Sequence, residues 1–201
     1  MNQCWNSLYD EPVVMEDGDD IKILTTRQSF KWMEQFKPVE KIANFGCWPR
    51  KNSSPGDQPP VYVTEPFGLL WTLEATHIDV VEMEKEQVMA ARSYIEALKN
   101  EIPQCFSGRH IQVIHGDMTE NILPPQEYDL AFSEHVIKKS DLDKLRAMAD
   151  CVKVGGYVVV IVHGSVPMDS LAKEVPSLTV VSNIDKSLCL YSENTYVYRR
   201  E

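Results

Sequence analysis

The sequence predicts an α/β domain: a mostly parallel sheet with helices on both faces, finished by an antiparallel β-hairpin at its carboxyl end. Three observations predict it. Short apolar runs at 41–46, 78–82, 110–116, 128–133 and 157–163 alternate with segments of helical period. The run YVVVIV at 157–162 is apolar at every position, as expected of a central parallel strand covered on both faces. The last two runs, LTVVSN (178–183) and TYVYRR (195–200), alternate in polarity, and the polar residues between them leave no room for a long helix. They are expected to pair antiparallel at an edge.

A chain of 201 residues is long enough to form one domain that buries about 70% of its unfolded surface. Its hydrophobic fraction of 43% and charged fraction of 25% are those of an ordinary globular protein. The net charge of −10 and the lack of a Lys/Arg cluster argue against an extended nucleic-acid footprint or an anionic membrane surface. Five scattered cysteines (Cys4, Cys47, Cys105, Cys151, Cys189) form no C-x-x-C pair, so reduced thiols and a cytoplasmic setting are expected. The acidic start MNQCWNSLYDEP lacks the basic-then-apolar order of a signal peptide, and YVVVIV is too short to span a bilayer. His77, His110 and His115 have no partners at metal-ligand spacing, so no metal site is expected.

Taken in order, residues 1–40 read as an acidic arm followed by a helix, and 41–201 as the main domain. Residues 21–24 (IKIL) form a short strand, and Thr25 or Thr26 caps a helix to Phe36, with Phe30, Met33 and Phe36 on its buried side. Pro38 ends that helix. KIANFG is the first strand of the domain, and a helix begins at Thr64. Val88, Ala91, Ile95, Leu98 and Ile102 recur at helical spacing from Lys85 to Glu101, before Pro103 stops the pattern. After strands at 110–116 and 128–133, Ser140 is a natural N-cap for a helix whose stripe is Leu142, Leu145, Met148 and Val152. Gly155 and Gly156 form a turn into the apolar strand.

The stretch from Lys41 to Lys85 is half of a nucleotide-binding unit. It runs from a strand through a glycine to a helix and a second strand ending in carboxylates, IDVVEMEK. Glycine lets the backbone approach a ligand, and a carboxylate at the next strand tip accepts hydrogen bonds from ribose hydroxyls. The acid is expected roughly 20 positions beyond the glycine turn. Counted from the helix start at Thr64 the spacing to Glu82 suits this, so the excess lies in WPRKNSSPGDQPP (48–60), an enlarged loop. Trp48 and Arg50 can close on a ligand and Gly56 can act as a hinge, which makes that loop a candidate cover.

Five strings stand in order at sensible spacing: IANFGC, VVEME, VIHGDMTENI, EYDLAFSEHVI and CVKVGGYVVVIVH. With the final hairpin, they make residues 40–201 resemble the class I S-adenosylmethionine-dependent methyltransferases. The resemblance implies a Rossmann-like, mostly parallel seven-stranded sheet and S-adenosyl-L-methionine as cofactor. It places Asn44, Gly46 and Cys47 along the methionine end of that cofactor, Glu82 on the ribose and Met83 against the adenine. Asp117 would accept from the adenine amino group, with Met118 as an adjacent backbone donor. Ser133, Glu134 and His135 would stand where cofactor and acceptor meet, and a carboxylate or imidazole there can take an acceptor proton.

The resemblance has departures. Asn44 replaces the acid of the usual first motif, and Trp48 and Arg50 stand where glycines are expected. Asp117 has a second reading as the cap of the turn GDMT. The sequence therefore carries two functions: a methyltransferase acting on a small molecule or a protein side chain, or a catalytically silent domain of that type serving as a protein-interaction module. A nicotinamide oxidoreductase ranks third, because no tight G-x-G-x-x-G is present. The acceptor and the oligomeric state are not written in the sequence.

Overall fold

The computed structural model describes residues 12–17, 20–25, 30–46, 64–134, 136–138, 141–162, 167–186, 189 and 194–201. Strands β1 (Pro12–Asp17) and β2 (Asp20–Thr25) pair antiparallel as a separate two-stranded sheet. The acidic arm thus contains paired backbone where only IKIL was expected to be a strand.

The main sheet has seven strands: β3 (Lys41–Phe45), β4 (His77–Glu82), β5 (His110–His115), β6 (Tyr128–Glu134), β7 (Val152–Ile161), β8 (Leu178–Val180) and β9 (Thr195–Arg200). Their order is β5-β4-β3-β6-β7-β9-β8. The first five are parallel, whereas β9 runs antiparallel to both β7 and β8. The expected terminal hairpin is present, but only β8 lies at the edge. β9 inserts beside β7, where Val197 and Tyr198 are buried.

Burial follows position in the sheet. β3 and β4 are covered on both faces and bury every residue after the first. Edge strand β5 alternates, with Ile111 and Val113 buried while His110 and Gln112 are exposed. On one face, α1 (Thr64–Thr72), α2 (Lys85–Glu101) and α3 (Pro103–Phe106) pack through Phe67, Leu70, Val88, Ala91, Ile95 and Leu98. On the other, α4 (Leu142–Cys151) and α5 (Met168–Lys173) pack through Leu145, Met148, Met168 and Ala172. This is the two-layer covering that the apolar periods predicted.

Four local expectations are corrected. The segment before β3 is a 3-10 helix, Lys31–Phe36, that buries Trp32 with Met33 and Phe36 and leaves Phe30 half-buried. It starts without a side-chain cap and ends with Lys37 N donating to Glu34 O three residues back; Thr25 ends β2, and Thr26, the other expected cap, lies outside the described residues. Gly155 and Gly156 lie inside β7 rather than before it. Gly155 has φ +84, and the β6–β7 register shifts between Tyr128 and Leu130. A Cβ on Gly156 would meet Asp129 O at 2.7 Å, so the glycine serves close strand approach. The cap of α4 is Asp141, whose carboxylate accepts from Lys138 N at 3.0 Å; Ser140 lies outside the described residues. Cys105 is disulfide-bonded, which corrects the expectation of reduced thiols, while Cys151 and Cys189 are free and buried. Among the described residues, no helix is long and apolar enough to cross a membrane.

Candidate functional site

Ligands of open parallel sheets bind outside the carboxyl ends of the strands, where the strand order reverses. Here the order reverses between β3 and β6. Phe45 is in register with Val81 on β4 and Ser133 on β6, so the chain leaves the sheet at Gly46 beside Glu82 and Glu134.

Gly46 has φ +85, and its N–H donates to Val81 O at 2.8 Å. A Cβ there would sit 2.5 Å from Val136 Cγ2. The glycine thus serves two needs: a left-handed turn, and the close approach of the segment after β6. Lys144 fixes that segment by donating to Val136 O at 3.1 Å and to Asp141 at 3.0 Å.

Glu82 ends β4 at 8% exposure, and its Oε1 accepts from Glu84 N at 2.9 Å. Met83 follows it and is 60% exposed, with its carbonyl accepting from the His115 ring at 3.1 Å. An apolar side chain braced in the open beside a carboxylate suits a flat, partly apolar ligand with hydroxyl groups. Asp117 caps the 3-10 helix Met118–Glu120: its Oδ1 accepts from Thr119 N at 2.9 Å and from Thr119 Oγ1 at 2.8 Å. These bonds hold its carboxyl below the ordinary range. The capping reading of GDMT is therefore realised. Both bonds fall on Oδ1, which leaves Oδ2 uncommitted. The Met118 side chain turns inward to line a cavity of about 250 Å³ with Phe45, Val81 and Leu123.

Asn44, Ser133 and Glu134 complete the group at the central strand ends. Asn44 is fully buried and donates to Gly46 O at 3.0 Å, yet its Oδ1 has no hydrogen-bond partner. Ser133 Oγ is likewise buried and unpartnered. Two orphaned polar atoms on adjacent strands are the kind of groups that a ligand or water satisfies. Glu65, at the start of α1, was not singled out in the sequence. Burial raises its carboxyl well above 4.5, with the neighbouring Glu134 adding to the rise, and it hydrogen-bonds Glu134. Glu134 itself is half-buried at the end of β6. The sequence signal was a lone acid in the apolar stretch TEPFGLLWT. Cys47, the 48–60 loop, His135 and His163 lie outside the described residues.

Neither protein-family models nor curated proteins match the chain. Solved structures do. Geranyl diphosphate C-methyltransferase from Streptomyces coelicolor superposes with a TM-score of 0.59 at 12% identity, covering 87% of this chain and 78% of that one. A SAM dependent methyltransferase from Aquifex aeolicus gives 0.54 at 13% identity, covering 85% and 87%. The YcgJ protein from Bacillus subtilis gives 0.50 at 14% identity; it matches 73% of this chain, which spans 55% of its length.

The chain has the class I methyltransferase fold.

Gly46, Glu82 and Asp117 stand at the carboxyl ends of three adjacent strands, Asn44 lies on β3 just before Gly46, and Ser133 and Glu134 sit on β6, one strand further along.

Proposed function

We propose that the chain is an S-adenosylmethionine-dependent methyltransferase acting on a small molecule or a protein side chain. The observation that carries this reading is the meeting of a positive-φ glycine (Gly46), a strand-tip carboxylate (Glu82) and a second carboxylate with one uncommitted oxygen (Asp117) at the carboxyl ends of β3, β4 and β5. The structural neighbour from Streptomyces coelicolor is in complex with S-adenosyl-L-homocysteine, which supports the same ligand class here.

The residues present fit such a cofactor. Glu82 would accept from the ribose hydroxyls, exposed Met83 would cover the adenine, and Asp117 Oδ2 would accept from its amino group. Asn44 Oδ1 and Ser133 Oγ, unpartnered at the strand ends, would serve the amino-acid end. The bound sulfonium supplies an already activated methyl group, so the chain's own contribution is to position the acceptor and remove its proton. In this reading Glu134, half-buried at the end of β6, takes the second task. The buried Glu65, whose carboxyl is raised well above 4.5, hydrogen-bonds it.

Calorimetric titration with S-adenosyl-L-homocysteine tests the reading. One molecule should bind per chain, and Glu82→Ala should weaken binding by about 1–3 kcal/mol, the cost of unpaired hydroxyls. Failure of the folded wild-type chain to bind at millimolar ligand would favour the silent interaction module.

A further inference from the structure

We propose that the amino-terminal ends of β4 and β5 carry a binding site for one zinc-class divalent ion, held by His77, Asp79 and His110. This site is independent of the methyltransferase reading, because His77 and Glu82 are the opposite ends of the same strand.

Strand geometry brings the three together across sequence distance. His77 and Asp79 are two residues apart on β4 and share a face. His110 is the register partner of His77 on β5. The donor atoms of all three lie within 4.8 Å of one another. His77 Nε2 and Asp79 Oδ2 are already 2.9 Å apart. Adjacent donors around a tetrahedral zinc ion with bonds of about 2.1 Å stand roughly 3.4 Å apart. His110 supplies the remaining adjustment: its exposed ring stacks on that of His77 at 4.5 Å and 23°.

Asp79 gives the second, independent observation. It is only 5% exposed, yet its Oδ1 has no hydrogen-bond partner. A buried carboxylate oxygen without a partner is costly and calls for a ligand. The Tyr128 hydroxyl donates to Oδ2 at 2.6 Å and fixes the carboxylate from behind, as outer-shell donors do around metal sites.

The two lysine charges nearby are offset by carboxylates. Lys41 and Lys153 pair with Glu127 and Asp129 at 2.5 and 2.8 Å, and Arg109 donates to Cys105 O at 3.2 Å. An open cavity of about 540 Å³, lined by His77, His110 and Glu40 together with Lys41, Arg109 and Lys153, leaves room for water ligands. Two imidazoles and a carboxylate suit zinc and cobalt(II). The bound ion would clamp edge strand β5 to β4.

The test uses the full, untagged chain freed of metal with a chelator and titrated with cobalt(II). The expected result is one equivalent bound, a visible absorption of a low-coordinate nitrogen–oxygen site without thiolate charge transfer, and displacement by zinc. His110→Ala, at an exposed position that does not endanger folding, should weaken binding at least ten-fold, and His77→Ala should do the same. A wild-type chain that binds no cobalt at millimolar concentration would overturn the proposal. So would an unchanged affinity in folded His110→Ala.

Discussion

Replacing Gly46 with alanine should destabilise the chain by about 2–5 kcal/mol, read as a shift in the urea midpoint at unchanged slope. Two separate costs add. An L-residue held at φ +85 is strained by about 1–2 kcal/mol. The new Cβ also meets Val136 Cγ2 at 2.5 Å, and overpacking of this kind costs about 1–3 kcal/mol. Val136 cannot retreat freely, because Lys144 holds its carbonyl. The costs are separable. Val136→Ala in the Gly46→Ala background should remove the steric share and leave the backbone strain. A double variant as unstable as Gly46→Ala alone would mean that Val136 is not what the glycine accommodates.

The other large effect falls on turnover. With an acceptor identified by screening, Glu134→Gln should lower turnover about 10²–10⁴-fold and leave cofactor affinity unchanged, as expected for loss of a proton acceptor. The same variant with full activity would restrict Glu134 to positioning. Glu65→Gln supplies the contrast. Glutamine can donate to Glu134 as the protonated Glu65 does, so activity should be retained. Its stability effect should depend on pH in a defined direction. The folded state raises the Glu65 carboxyl above 4.5, so it holds a proton that the unfolded chain releases. That contribution is fully present below pH 4.5 and is lost as pH rises towards the folded value. Wild type and Glu65→Gln should therefore differ least in acid and diverge, in favour of the variant, as pH rises. A constant difference would mean that folding does not raise the Glu65 carboxyl.

Much of the frame was legible because it is written locally. The stripe Val88, Ala91, Ile95 and Leu98 marks α2, and the unbroken apolar run at 157–162 marks a strand covered on both faces. Acids at the ends of β4 and β5 were legible for the same reason, since the strands that carry them are. Features that depend on distant partners were not. Glu65 and Glu134 belong to a helix and a strand far apart in sequence, and nothing in TEPFGLLWT says which residue it hydrogen-bonds. Asp117 illustrates a conflict within one residue, where the local turn claims Oδ1 and a ligand can claim only Oδ2. His77 and His110 look unrelated in the linear spacing, yet the parallel register places them side by side. The glycine pair at 155–156 misled for a further reason. Its freedom serves close approach inside a strand rather than a turn before one.

The central claim is that S-adenosyl-L-homocysteine binds at the carboxyl ends of β3, β4 and β5. Amide chemical shifts of the nitrogen-15-labelled chain, followed as that ligand is added, test it most directly. The account predicts saturable shifts at Gly46, Met83 and the Asp117–Thr119 turn, with little change at His77 and His110. Saturation with no shift at those three places, or shifts centred on the amino-terminal ends of β4 and β5, would contradict it.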